Sequence, residues 1–363
     1  MEQSKRIIWL DIVKVFATFL IVMQHSIANE WAKDVEDAVN FRIVAGSWST
    51  INLFFIIVRA GVPLFFLCSG YGMFQRRHGI KEIYTSSVRR ILVPYFCWML
   101  IFGCMEAVKS STVKIGIGEI IKALVFGRYH TWFIATLLGL YIVTPFIQEF
   151  IYDRQLLKYF IIVSLAFTII IPLFGLIGDD RLTHIFNDFN MNFVVGYVLY
   201  YILGYFIGGL ENGRIQLIIA ALMTVVALAI CQIICIKDLM VKGPEVQNYY
   251  SAFSVLGFII PVSLFYIFKC IFADMGKERV AGAVSGLAKL GMGIYLVHPL
   301  LLPLIKEMHG YRIFLGGTRI PDLCRYQFFD QHYTTKENNV IKAIDFKELP
   351  HFVTALFLVY NNT

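Results

Sequence analysis

The chain has 363 residues, 58% of them hydrophobic and 16% charged, with a mean hydropathy of +0.68 and a formal charge of +7. A water-soluble domain needs more surface charge and less apolar mass than this, so soluble folds are excluded. The positive balance does not mark a nucleic-acid binder. Its basic residues lie mostly in short segments between apolar runs, where the positive-inside rule accounts for them.

Apolar runs of about 18 to 25 residues, enough to cross about 30 Å of hydrocarbon, recur along the chain. They predict an all-α, polytopic transmembrane bundle with nine spans near 7–27, 51–74, 89–108, 132–150, 158–178, 193–210, 214–236, 250–272 and 286–305. The first run ends in Asn29, Glu30 and Trp31 and lacks an A-x-A cleavage pattern. It is therefore expected to stay as the first helix and not to be removed as a signal.

The connections set the orientation. Residues 28–50 carry Glu30, Asp34, Glu36 and Asp37 against Lys33 and Arg42, and 178–192 is also mainly acidic. Residues 75–90 carry Arg76, Arg77, Lys81, Arg89 and Arg90 against Glu82. Residues 269–289 carry Lys269, Lys277, Arg279 and Lys289 against Asp274 and Glu278. This alternation predicts a cytoplasmic N-terminus, with the basic 109–128 connection breaking the pattern.

The seven cysteines (68, 97, 104, 231, 235, 270 and 324) fall mostly inside apolar runs and form no CxxC or His-spaced set, so buried thiols and no metal are expected. Residues 311–363 are polar, and their one apolar patch, FVTALFLVY, is about half the length of a crossing. The chain therefore divides into a membrane domain over 1–310 and an atypical polar tail over 311–363.

Ionisable residues inside a membrane cost several kcal/mol and mark functional positions. The first span, in WLDIVKVFATFLIVMQHS, holds Asp11, Lys14 and His25. Lys14 and His25 are eleven residues apart, close to three helical turns, so they share a face at depths about 16 Å apart. Asp11 precedes Lys14 by three and can pair with it. His25 is left alone at the far end, either as a titratable group with a chemical role or as an interfacial histidine satisfied by water. Arg59 lies well inside the second span, where it must pair with a carboxylate or face a polar path.

Five segments carry a resemblance. LDIVKVFATFLIVMQH at 10–25 resembles the opening signature of the membrane acyltransferase-3 family, a basic residue followed after ten others by His. VRAGVPLFFLCSGYGMF at 58–74 resembles its second helix, and SVRRILVPYFCW at 87–98 its basic loop and Pro-aromatic third helix. HTWFIATLLGLYIVTP at 130–145 and LGMGIYLVHPL at 290–300 resemble its Trp-Phe and Tyr-Leu-x-His segments. They occur in the expected order over about 1–305.

The resemblance implies a multi-pass O-acyltransferase of a bacterial inner membrane. It would transfer an acyl group, commonly acetyl from acetyl-CoA, to a hydroxyl of a cell-envelope carbohydrate or lipid-linked acceptor. The acyl-CoA would be a donor substrate and not a resident cofactor, and the lipid bilayer and envelope-biosynthesis proteins would be partners. His25 would be general base or would carry the acyl group covalently. Asp11 and Lys14 would lie on the donor side, and Arg59 would line the donor path or polarise the acyl carbonyl.

Arg89 and Arg90 would hold CoA phosphates, with ordinary membrane anchoring as the alternative. Ser69 lacks a G-x-S-x-G elbow, so it reads as a packing or hydrogen-bonding position beside the donor and not as a nucleophile. His130, Trp132 and His298 would contact the acceptor, against a plain aromatic belt for the first two and helix packing for His298. The family implies about ten spans, and the polar tail stands where the last should be. The reading from a different class is a transporter or polysaccharide/amino-acid export component. Such proteins show broken helices near the midplane and related halves, and no repeat is visible here.

Overall fold

The computed structural model describes residues 7–41, 46–109, 121, 130–176, 188–189, 191, 193–242, 249–273 and 278–309. Among these there are helices and turns but no strand. In hydrocarbon each backbone N–H must be satisfied within the protein, and a helix does this within one segment. Among the described residues eight helices are long and apolar enough to cross: Ile8–Ala28, Trp48–Met73, Ile80–Cys104, Trp132–Ile151, Arg154–Phe174, Arg214–Leu239, Val255–Phe272 and Ala281–Leu302. The remaining predicted span, 193–210, forms only the 12-residue helix Tyr197–Gly208. At about 1.5 Å per residue that is short of a bilayer core. Gly196, with φ 88°, places a left-handed residue just before the helix and delays its start.

In chain order, α1 is Ile8–Phe41, α2 Gly46–Val58, α3 Gly61–Met73, α4 Ile80–Glu82 and α5 Arg89–Lys109. Next come α6 Trp132–Ile151, α7 Arg154–Leu165, α8 Ile171–Leu176, α9 Tyr197–Gly208, α10 Arg214–Lys242, α11 Val255–Phe272 and α12 Glu278–His309. Several boundaries differ from expectation for local reasons. α1 continues as helix well past its apolar part, so much of the acidic 28–50 connection is helical. The third span begins at Ile80 and not at 89, through a π-helical turn at Ile83–Val88. Thr85 and Ser86 hydroxyls donate to the carbonyls of Lys81 and Glu82 there, competing with the regular ladder. Lys81, Arg89 and Arg90 therefore sit on helix and not in a loop.

The second span is interrupted at Arg59–Ala60. Pro63 accounts for this, since it has no N–H for the Arg59 carbonyl four residues earlier and its ring crowds that carbonyl. Two later starts are capped by side chains. Asp153 Oδ1 accepts from the N–H groups of Gln155 (2.8 Å) and Leu156 (3.0 Å), opening α7. Ser254 Oγ accepts from Gly257 N at 3.0 Å and starts α11 at Val255, five residues after the predicted start. The expectations for 109–128 and 178–192 fall almost entirely outside the described residues, and those for the 311–363 tail and Cys324 wholly so.

The chain forms two compact units. The first comprises Met1–His78 and Val143–Tyr295. Its tightest crossing joins α3 to α9, with Gly70 against the Tyr201 carbonyl and Gly204 against the Leu67 carbonyl. Small residues of this kind let transmembrane helices meet backbone to backbone. Around the crossing Phe66 stacks on Tyr197 at 4.4 Å, and Tyr201 shares a 2.9 Å hydrogen bond with Thr144 of α6. At another crossing Asn52 of α2 donates to Gln232 Oε1 of α10 at 2.7 Å, and Gln232 donates to Ser49 O (2.8 Å) and Oγ (2.9 Å). Where α3 ends, Gln148 of α6 clasps the backbone of His78 through one accepted bond (2.7 Å) and one donated bond (3.0 Å).

The second unit comprises Gly79–Ile142 and Leu296–Thr363. Its described core is made by the π-helical turn Ile83–Val88, α5, the first half of α6 and the later part of α12, with Ile83, Trp98, Met99, Phe102, Phe133 and Leu296 buried.

Candidate functional site

In the first unit, α1 is uninterrupted from Ile8 to Phe41, so Asp11, Lys14 and His25 ride on one rigid rod. Together with Thr18 they fall within an arc of about 60° at 3.6 residues per turn. Lys14 Nζ lies 3.9 Å from Asp11 Oδ1; the carboxylate side chain is buried and that of Lys14 is 34% exposed. Asp11 has a second partner in the described structure, the Ser285 hydroxyl of α12, which donates to Oδ2 at 2.9 Å. Thr18 Oγ1 donates back to the Lys14 carbonyl at 2.9 Å. Cys68 of α3 is buried within electrostatic reach of both Lys14 and Asp11, while its neighbour Ser69 is half-buried and points about 100° around the helix from it. His25 is half-buried near the end of the apolar part of the helix, about 16 Å along the axis from Lys14.

Arg59 lies at the Pro63-induced break of the second span and is half-buried. Its guanidinium carbon stands 5.8 Å from the centre of the Phe55 ring and 5.4 Å from that of Tyr250. These two rings meet edge to face at 5.6 Å. The cation is thus held by the negative faces of aromatic rings. Among the described residues no carboxylate makes an ion pair with Arg59. Tyr250 lies before α11, outside the crossing segment. Burial pushes its phenol up, and the nearby Arg59 charge opposes that shift.

In the second unit the structure brings His130 and His298 together. Their ring centres are 5.8 Å apart and nearly perpendicular, and both side chains are buried. His130 occupies the turn before α6 and is also edge to face with Phe102 at 5.8 Å. Trp132, two residues on, has an exposed indole. Arg89 and Arg90 open α5 and are both exposed. No group of three or more His, Cys, Asp or Glu able to hold a metal occurs among the described residues. Cys68, Cys231 and Cys235 are buried, the last two one turn apart on α10, whereas Cys97 and Cys270 are half-buried and Cys104 is exposed, so the expected burial of the thiols holds only in part.

Three contributors escaped the sequence reading. Ser285 lies 274 positions from Asp11 and one residue before the predicted last span. The Asn52–Gln232 clasp and the Phe55–Tyr250 seat of Arg59 likewise join distant segments. Only Pro63 left a local signal, since a proline four residues after an intramembrane arginine forecasts a break at that arginine.

The family model described as an acyltransferase domain matches residues 7–315. No curated protein and no solved structure matches the chain.

Proposed function

The chain belongs to the acyltransferase-3 family of membrane acyltransferases, and from that premise we propose that it is an inner-membrane O-acyltransferase using cytoplasmic acyl-CoA, most simply acetyl-CoA. The acceptor is a hydroxyl of a cell-envelope carbohydrate or lipid-linked glycan. The observation that carries this reading is the division of α1 by depth: an Asp11–Lys14 pair near one end and His25 about three turns further on the same face. With the N-terminus cytoplasmic, the cation lies on the donor side and the imidazole towards the outer surface.

His25 acts as general base. It takes the proton from the acceptor hydroxyl as that oxygen attacks the thioester carbonyl, and collapse of the tetrahedral intermediate releases CoA thiolate. Arg59, a cation seated on aromatic faces inside the span, stabilises the negative charge that builds on the carbonyl oxygen. Lys14 is the donor contact of the first unit, and Arg89 and Arg90, exposed in the second unit, are guanidinium groups suited to phosphate. Trp132 recognises the acceptor, with its exposed indole as a sugar-stacking face, and the buried His130–His298 pair supports the turn that carries it.

The broken second span is a feature that transporters share, but Pro63 explains the break locally, and the family assignment supports acyl transfer. The test uses the purified full chain with radiolabelled acetyl-CoA and envelope membranes. Release of CoA with label in the glycan fraction is expected, and His25→Ala should abolish it while still inserting in the membrane. Full turnover by His25→Ala would sink the mechanism, and acceptor flux without acyl transfer would favour a transporter.

A further inference from the structure

We infer that Ser285 is a positioning residue of the donor site, acting on Lys14 through Asp11. The inference rests on the reading of Lys14 as a donor contact. The Lys14–Asp11 contact is long for an ion pair at 3.9 Å, and the ammonium is 34% exposed. A pair so spaced tethers the cation without using up its three N–H donors. What fixes the tether is the other carboxylate oxygen. The Ser285 hydroxyl donates to Oδ2 at 2.9 Å, so the plane of the carboxylate is set and Oδ1 faces Lys14. The Lys14 backbone is steadied from behind by the Thr18 hydroxyl on its carbonyl.

The α12 helix comes within side-chain reach of α1 at two points. A Cβ on Gly291 would stand 3.0 Å from Thr18 Oγ1, so the threonine side chain would have to give by a few tenths of an ångström there. The two contacts, Asp11 with Ser285 and Thr18 with Gly291, are spaced by seven residues on α1 and six on α12. At about 1.5 Å per residue both spacings come to about 10 Å, so the two helices run parallel with their register fixed at two points. Ser285 is thereby carried to the level of Asp11 on a helix and not on a loop. The first part of α12 delivers a hydroxyl to the carboxylate, the carboxylate orients the ammonium, and the ammonium meets the donor.

The test measures acetyl-CoA binding to the purified full chain in nanodiscs by calorimetry, with thermal unfolding of each variant alongside. Hydrogen bonds to charged groups are among the stronger ones, so Ser285→Ala should weaken acetyl-CoA binding by about fivefold or more. Its melting temperature should fall by no more than a few degrees, the cost of one buried acceptor left without its donor, and Ser285→Thr, which restores the hydroxyl, should recover most of the affinity. Lys14→Ala should weaken binding further, and adding Ser285→Ala to it should cost nothing more, because the serine acts only through the lysine.

Normal affinity in Ser285→Ala beside weakened affinity in Lys14→Ala overturns the positioning role and leaves the donor site standing. An equal loss from Ser285→Ala with and without Lys14 overturns it too. Unchanged affinity in Lys14→Ala removes the donor reading itself, and this inference with it.

Discussion

The crossing of α3 and α9 makes Gly70→Ala the most exposing single substitution for the fold. A Cβ at Gly70 would lie 1.6 Å from the Tyr201 carbonyl oxygen and 2.6 Å from its carbon. Real Cβ atoms do not come within 3.0 Å of such atoms, so the helices must separate by 1.4 Å or more, and the obstructing atoms are backbone that cannot rotate away. A gap of that size forfeits a half or more of the dispersion energy of every pair across it. The pairs at stake include the Phe66–Tyr197 stack and the buried Thr144–Tyr201 bond. Overpacking a core residue by one methyl typically costs about 1 to 3 kcal/mol, and backbone on both sides puts this case at about 3 kcal/mol or above.

Gly139, whose added Cβ meets nothing within 4 Å, is the control. Alanine there should be neutral or gain about 1 kcal/mol of helix propensity. Heating detergent-solubilised protein and counting the monodisperse fraction by gel filtration should show Gly70→Ala melting about 5 °C or more below the parent, and Gly139→Ala level with it. Equal melting of the two variants would refute the close crossing.

Two further substitutions probe polar groups inside the bilayer. Asn52→Leu strips the donor from Gln232 Oε1 and should lower stability by about 1 kcal/mol, the usual size of an interhelical bond in lipid. The double variant with Gln232→Leu should recover part of that loss, and no recovery would mean that the clasp is not the cause. Arg59→Met should fold, given its aromatic seat, yet transfer acetyl about a hundredfold more slowly if the guanidinium stabilises the oxyanion. Arg59→Lys should keep part of the rate, and undiminished transfer by Arg59→Met would remove this residue from the mechanism.

How much of this was visible beforehand depended on whether the information was local. Span positions were legible because hydrocarbon imposes length and apolarity on every crossing independently of neighbours, and the Asp11–Lys14 spacing was legible because three residues on a helix bring side chains together. Span ends were harder. The charge-rich stretch around Lys81 and Arg89 read as a loop, whereas long basic side chains on a helix can stay exposed while the backbone continues. The 12-residue α9 read as a full span because its flanks are as apolar as its centre, and only the backbone at Gly196 set its start. The His130–His298 contact and the Ser285–Asp11 bond could not be read at all. Each joins residues more than 160 positions apart, and nothing in local spacing encodes such a meeting.

The two kinds of charge inside the first unit are held in opposite ways, and the difference bears on chemistry. Asp11 and Lys14 neutralise each other across one helical turn, so their cost in lipid is shared and substitution of either leaves the other stranded. Arg59 lies over the faces of Phe55 and Tyr250, so it is held by ring quadrupoles where Lys14 is held by a carboxylate. A cation neutralised by a counter-ion can hold a ligand but polarises it weakly. A cation seated on ring faces keeps its field and its edge N–H groups for an oxygen that becomes negative. The first arrangement suits binding and the second suits the transition state. Lys14 variants should therefore act chiefly on donor affinity and Arg59 variants on the rate of transfer.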